Sequence, residues 1–368
     1  MNNYKLLVCT SEYPPHHSSG IGNVAYNVVE CLRKMNVDCT ICSPNKDIKL
    51  GNSHLITKFG FIGLASYWLQ VNKFLKNKSK EYDLVWLHNP LFIRRKSFQK
   101  SIITIHTTYY GKMILHMKPK LYNIIGFFIE RFSLKQINDK TRFTAVSTQV
   151  FSELENIGIQ KTKITYIPNG VNTKYFTSLK NKKRIKTKLK IPENNRILLS
   201  FGRLSEQKQP IKLLELFSII ENEVKDVTLV IAGRGELLED CKEYAKQKQI
   251  RNVKFLGYVN EKNKLLLFSS SDYYILVSKY EGQPLTLLEA MSSGLPCIVS
   301  NIPNLRIVED AACGLIVDIN NIPKTSREII EYLKKNHLTH SKNARKYTTK
   351  NLDWKIISEK YLDEFNKI

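Results

Sequence analysis

Apolar residues in this chain fall into short unbroken runs, separated by longer stretches where they recur every three or four positions. Residues 4–10, 38–42, 84–87 and 101–105 are runs of the first kind, and 23–35 is a stretch of the second. Runs of that length suit strands buried on both faces, and the 3.6-residue period between them suits the helices that cover them. A second series, at 196–201, 228–232, 253–256, 274–277 and 297–300, follows a Lys-rich stretch at 180–190. Such alternation predicts an α/β protein with doubly wound parallel sheets. A chain of 368 residues suits two domains, with the boundary expected between 170 and 192 and the Lys-rich stretch as a basic linker. Residues 351–362 carry helical spacing behind a cap expected at Asn351.

Chemistry concentrates after the 274–277 strand, in Glu281-Gly282-Gln283-Pro284-Leu285-Thr286-Leu287-Leu288-Glu289. Pro284 suits a first helical position, which puts Glu281 on a loop and Glu289 on a helix. The first turn is expected to leave the N–H groups of Leu285, Thr286 and Leu287 unpaired at the positive end of the helix dipole, a setting that suits a diphosphate. Gly294-Leu295-Pro296 then stops the helix before the next strand, which completes a βαβ unit. Two carboxylates eight positions apart are by themselves ordinary solvated helix residues, and the unit around them is what marks this pair.

Three further groups stand just past predicted strands. Arg203 and Lys208 follow 196–201, where fixed cations can stabilise the charge that builds on a departing phosphate. His106 follows 101–105 and is expected to face a cleft. Gly233 and Gly235, in Gly233-Arg234-Gly235-Glu236, and Tyr258 follow the next two strands of the second series. A loop with Gly20 and Gly22 lies between the first strand and its helix, and its glycines allow close backbone approach; His16 and His17 beside them read as exposed loop residues. Asp-x-Asp, which can hold a metal on a diphosphate, occurs nowhere in the chain.

The paired glutamates, with Phe201-Gly202-Arg203-Leu204 and Lys208, Ile231-Ala232-Gly233-Arg234-Gly235-Glu236, Phe255-Leu256-Gly257-Tyr258-Val259, Ala145-Val146-Ser147 and Ile167-Pro168-Asn169-Gly170-Val171-Asn172, strongly resemble the retaining GT-B glycosyltransferases of family 4. The resemblance implies two Rossmann-like doubly wound domains facing across a cleft. Residues 1–172 with a returning helix in 350–368 would form the acceptor-side domain, and 173–349 the sugar-nucleotide-binding domain. Glu281, His106, Arg203 and Lys208 would be catalytic. Gly20, Gly22, Gly233, Gly235, Tyr258, Gly282, Gln283, Pro284, Leu285, Thr286 and Glu289 would bind the donor, a UDP- or GDP-linked hexose, with Glu289 on the ribose. The family usually carries two adjacent glycines in its first loop, and here Ser19 stands in the first place. Transfer would proceed at the front face without metal or other cofactor, to a glycan or lipid-linked acceptor in cell-surface polysaccharide or glycolipid synthesis. A sugar-nucleotide epimerase of the same fold and a non-catalytic basic nucleic-acid-binding protein are the alternatives.

Charge adds one partner to this picture. The formal net charge is +24, and residues 1–165 hold 23 Lys and Arg against 10 Asp and Glu. Lysine outnumbers arginine 44 to 13, as a nucleotide-biased genome would also produce. Basic and aromatic residues lie side by side over 111–132, a segment suited either to an anionic bilayer surface or to packing on its own sheet. The expectation is a peripheral contact with the inner face of the cell membrane by a cytoplasmic protein, and no nucleic-acid partner. Seven scattered cysteines point to reduced thiols, with Cys39 and Cys42 a buried strand pair and no metal site.

Overall fold

The computed structural model describes residues 4–14, 20–94, 100–115, 121–136, 141–178 and 183–368. His16, His17, Ser19 and part of the Lys-rich stretch lie outside them. Two compact units divide the chain, Met1–Gly170 with Trp354–Ile368, and Val171–Asp353.

The first unit is built on six parallel strands: β1 Lys5–Cys9, β2 Asp38–Cys42, β3 Leu84–His88, β4 Ser101–Ile105, β5 Thr141–Ala145 and β6 Ile164–Tyr166. Their order is β2-β1-β3-β4-β5-β6. Apolar side chains of β1, β3 and β4 meet Tyr67, Trp68, Val71 and Leu75 of the Phe61–Lys78 helix in one core. Hydroxyls line part of the sheet but pair with each other: Ser101 with Thr141 at 2.8 Å, Thr104 with Thr144 at 2.6 Å, and the Trp86 indole N–H donates to Thr104 Oγ1 at 2.8 Å. The last helix, Trp354–Phe365, belongs here. Its Tyr361 and Phe365 rings pack on Trp86 at 4.9 and 5.5 Å, and Arg142 Nε donates to Glu364 at 2.5 Å. Asn351 is not its cap, because that residue closes the preceding helix, Leu338–Asn351.

The second unit repeats the plan with β7 Arg196–Phe201, β8 Val227–Ala232, β9 Val253–Gly257, β10 Tyr273–Leu276, β11 Cys297–Ser300 and β12 Gly314–Val317. All neighbours are parallel in the order β12-β11-β10-β7-β8-β9. The Lys-rich stretch, expected as a linker, includes a helix at Lys183–Lys188, tied by Lys186 Nζ to the carbonyl of Glu193 at 2.8 Å. None of the seven cysteines, all of them described, is in a disulfide, and Cys39 and Cys42 are buried on β2. Among the described residues no helix is long and apolar enough to cross a membrane.

Candidate active site

Strand order decides where each unit can take a ligand. In the second sheet successive strands run outward from β7 through β8 to β9, and the chain then returns to β10 on the other side of β7. Open α/β sheets bind ligands beyond the carboxyl ends of the strands at such a reversal, where loops from two neighbouring strands diverge and leave a crevice. The loop after β7 carries Arg203 and Lys208, and that after β10 carries Glu281 and leads into the Leu285–Ser292 helix. Sequence positions some 70 residues apart are thereby brought into contact.

Lys208 Nζ pairs with Glu281 Oε1, which also accepts from Ser278 Oγ at 2.5 Å. Two more bonds clasp the loops together: Gln207 Nε2 donates to the carbonyl of Tyr280 and the Lys279 N–H to that of Gln207, both at 2.8 Å. Asn304 Nδ2 donates to the carbonyl of Glu281. Glu281 is buried and held at both its backbone and its carboxylate. Arg203 differs: it is exposed, and its guanidinium makes no ion pair or hydrogen bond among the described residues.

Pro284 stands one place before the helix, with extended backbone. Its carbonyl accepts from the Leu287 N–H at 3.1 Å, so Leu287, expected as an open donor, is already paired. Leu285 and Thr286, at the first two helical positions, have no acceptor within the helix. The Thr286 hydroxyl accepts from Tyr274 OH at 2.8 Å. Gly282 is half-buried, and Gln283 and Pro284 are buried beside Glu281.

One turn after Thr286 on the same helix face lies Glu289, also buried. Lys264 Nζ, from the Glu261–Ser270 helix, donates to its Oε1 at 2.6 Å, while its Oε2 is buried with no partner. Burial raises this carboxyl to about 7, against the pull of Lys264. Lys264 was not singled out in the sequence, since its partner is 25 positions away and a charged residue on a helix ordinarily reads as solvated.

Gly233 has a local reason to be glycine. Its φ is +145°, and a Cβ there would stand 1.8 Å from the carbonyl oxygen of Gly202, so the loops after β7 and β8 pack backbone to backbone. Gly235 meets the Leu204 carbonyl in the same way. Beyond them Tyr258 is exposed, with the Arg234 guanidinium 5.5 Å above its ring.

In the first unit the order reverses between β1 and β3. Gly20 opens the Gly20–Lys34 helix with free space around it, and Gly22 packs on the backbone of Glu12. His106, just past β4, is buried, with its Nε2 3.1 Å from Nδ1 of His88. Burial lowers it to about 3, so it is a neutral imidazole at physiological pH. Asn89, at φ +48°, accepts from the His106 N–H at 2.7 Å and fixes that turn. Glu130 and Glu153 are buried nearby in sequence-distant helices, accepting from the Tyr109 N–H at 2.9 Å and Thr108 Oγ1 at 2.6 Å. Burial lifts Glu130 to about 8. Among the described residues no three His, Cys, Asp or Glu side chains are grouped to hold a metal ion.

Two doubly wound sheets, the second with cations and carboxylates gathered at its switch point, define a two-domain α/β protein. Residues 18–175 match the family model "Glycosyltransferase Family 4", and residues 181–351 match "Glycosyl transferases group 1". The chain belongs to the GT-B glycosyltransferases of family 4. It is 31% identical over 255 residues to the Escherichia coli UDP-Gal:alpha-D-GlcNAc-diphosphoundecaprenol alpha-1,3-galactosyltransferase, an alignment covering 67% of this chain and 65% of that protein, just under two thirds of its length. Its fold superposes on WaaG, a glycosyltransferase involved in lipopolysaccharide biosynthesis, with a TM-score of 0.77 at 17% identity, covering 98% of this chain and 99% of the other. Anabaena HepE in complex with UDP-glucose gives 0.75 at 15% identity, covering 99% and 100%.

Proposed function

We propose that the protein is a retaining hexosyltransferase that moves sugar from a nucleotide-sugar donor to a glycan or lipid-linked acceptor in polysaccharide or glycolipid synthesis, without divalent metal. The observation that carries this reading is the cluster at the switch point: a Lys208–Glu281 pair, an exposed Arg203, and a helix start with Glu289 one turn further on. Arg203, Lys208 and the N–H groups of Leu285 and Thr286 supply the positive field a departing diphosphate needs. Glu281 is tied by Lys208 and Ser278, which makes it a poor nucleophile and suits it to positioning sugar hydroxyls. Retention then follows from front-face attack by the acceptor hydroxyl, with a phosphate oxygen taking its proton. His106, neutral and buried, can give or accept one hydrogen bond but carries no charge. The relative's diphosphoundecaprenol substrate and the UDP-glucose bound by HepE support the donor and acceptor classes.

The test is thermal stability in EDTA with UDP, GDP, ADP and their sugar conjugates. One nucleotide at ~100 times its dissociation constant is expected to stabilise the fold by about 2.7 kcal/mol. No shift with any of them, or a shift only when a divalent cation is restored, would sink the reading. Arg203→Ala is expected to weaken that nucleotide about tenfold, the weight of one hydrogen bond to a charged group, and to leave the melting temperature of the free protein unchanged, because the exposed guanidinium has no partner to lose among the described residues. Titration calorimetry beside a melt checks both halves.

A membrane-side acceptor gives the first unit a second task. The Leu121–Lys135 helix buries Phe127 and Leu134 in the core, yet Leu121, Phe128 and Phe132 are 72, 63 and 67% exposed and Ile125 joins them on one face. Arg131 and Lys135 flank that stripe, and its one acid, Glu130, points inward. An apolar stripe with two cations along one edge fits an anionic bilayer surface at the inner face of the cell membrane.

A further inference from the structure

A buried Lys–Glu pair is costly to desolvate, and an apolar pair of similar size generally serves stability as well. Lys264 and Glu289 nevertheless form one, and they leave half of the carboxylate bare. Lys264 Nζ is fixed from several sides. It donates to Glu289 Oε1 at 2.6 Å, lies 3.7 Å from Glu261 on its own helix, and stands 5.5 and 5.6 Å from the ring centres of Phe176 and Phe201. Those contacts hold the ammonium against one carboxylate oxygen of Glu289 and leave the other to a different donor. Oε2 is then buried with no donor, and Glu289 as a whole is only 8% exposed. A buried acceptor with no partner calls for an explanation, and a ligand hydroxyl supplies one. Phe201 is the last residue of β7, and Thr286 lies one turn before Glu289, so the bare oxygen belongs to the same switch-point site as Arg203 and Lys208.

We infer that Lys264 is a positioning residue for the ribose of the donor: it occupies one oxygen of Glu289 and presents the other to accept from a ribose hydroxyl. The inference rests on the nucleotide-sugar reading and adds a named residue to it. Without the cation, Glu289 takes up a proton at neutral pH and is free to turn, and the acceptor is lost. Lys264 touches no diphosphate in this scheme, so its removal costs ribose recognition and spares the charge-borne part of the affinity.

The experiment compares UDP, GDP and ADP with their 2′-deoxy and 3′-deoxy forms by calorimetry, on wild type, Lys264→Met and Lys264→Arg. Wild type is expected to prefer the ribose form of its nucleotide by about tenfold over at least one deoxy form, as for one hydrogen bond to a charged acceptor. Lys264→Met is expected to bring that ratio below about twofold, and Lys264→Arg, which keeps a cation, to recover most of it. The wild-type ratio is also expected to grow from pH 6 to pH 8 as Glu289 ionises between Lys264, Glu261 and Tyr274, and in Lys264→Met that growth moves to higher pH. A folded Lys264→Met that keeps the wild-type ratio overturns the role of Lys264. Wild type that binds a nucleotide with no preference for ribose overturns the inference and leaves the donor site standing, whereas wild type that binds no nucleotide overturns both. Should Lys264→Met fail to fold, Lys264→Gln replaces it, and a Gln ratio equal to that of Arg and wild type counts against the inference.

Discussion

A Lys208→Ala protein is expected to transfer sugar about 100- to 1,000-fold more slowly than wild type at saturating donor, the cost of removing one fixed donor from a site where negative charge develops. Lys208 gains this weight from its position. It ends the short turn Glu206–Lys208, which is clasped to residues 279–281 of the neighbouring strand's loop, so its ammonium needs no reorganisation when the diphosphate begins to leave. Its pairing with Glu281 gives the same side chain a structural duty, and alanine leaves a buried carboxylate with Ser278 alone. Breaking such a pair costs on the order of 3–5 kcal/mol of stability when it is fully buried, and less here because Lys208 reaches partly into solvent. The two effects separate in single-turnover kinetics run well below the variant's melting temperature. A catalytic role requires the rate with donor saturated to fall far more than the affinity for the nucleotide. If Lys208→Ala melts early but turns over within tenfold of wild type where it is folded, the residue is a brace for Glu281 and the charge argument is wrong.

The fold was legible where burial is total. β3, β4, β8, β10 and β11 read directly from apolar runs, because a strand covered on both faces has few polar side chains to interrupt it. β5 was not read as a strand. Thr141-Arg142-Phe143-Thr144-Ala145 looks half-polar, but its hydroxyls meet Ser101 and Thr104 in register and its arginine meets Glu364, 222 positions on. No local pattern announces partners at that distance. β6 has three residues and β12 opens on glycine, too little for any period to register.

The same division runs through the site. Glu281, Glu289, Arg203 and Lys208 stand out in the sequence because each lies just past a strand or on the helix that follows it, where sequence order and spatial order agree. Lys264 and the His88 partner of His106 give no such signal, because each reaches its partner by crossing to another strand or helix. Gly233 carries a lesson of a different kind. Its lack of a side chain was expected to bring backbone close to a ligand, and the contact that demands it is with Gly202 of the neighbouring strand's loop. A glycine after a strand reports close approach, and the sequence does not say what approaches.

The exposed stripe on the Leu121–Lys135 helix leads to the second large effect. Phe128→Asp with Phe132→Asp is expected to weaken binding to vesicles rich in anionic lipid by at least about 100-fold, since each buried Phe is worth roughly 1.5–3 kcal/mol and both are withdrawn. Their Cβ atoms point away from the core that Phe127 and Leu134 enter, so the fold has little to lose. Transfer to a short water-soluble acceptor is therefore expected to stay within about twofold, because surface substitutions away from a site shift stability by about ±0.5 kcal/mol or less. Arg131→Gln with Lys135→Gln acts through a different force. It removes about 1 kcal/mol per cation at the headgroups, an effect that salt screens over a Debye length of about 8 Å, whereas the apolar contribution survives salt. Flotation with anionic and with neutral vesicles, each at low and high salt, resolves the two. Wild type that floats equally with neutral and anionic lipid would leave the cations without a function, and an aspartate pair that floats like wild type would mean that the stripe is covered by something other than a bilayer.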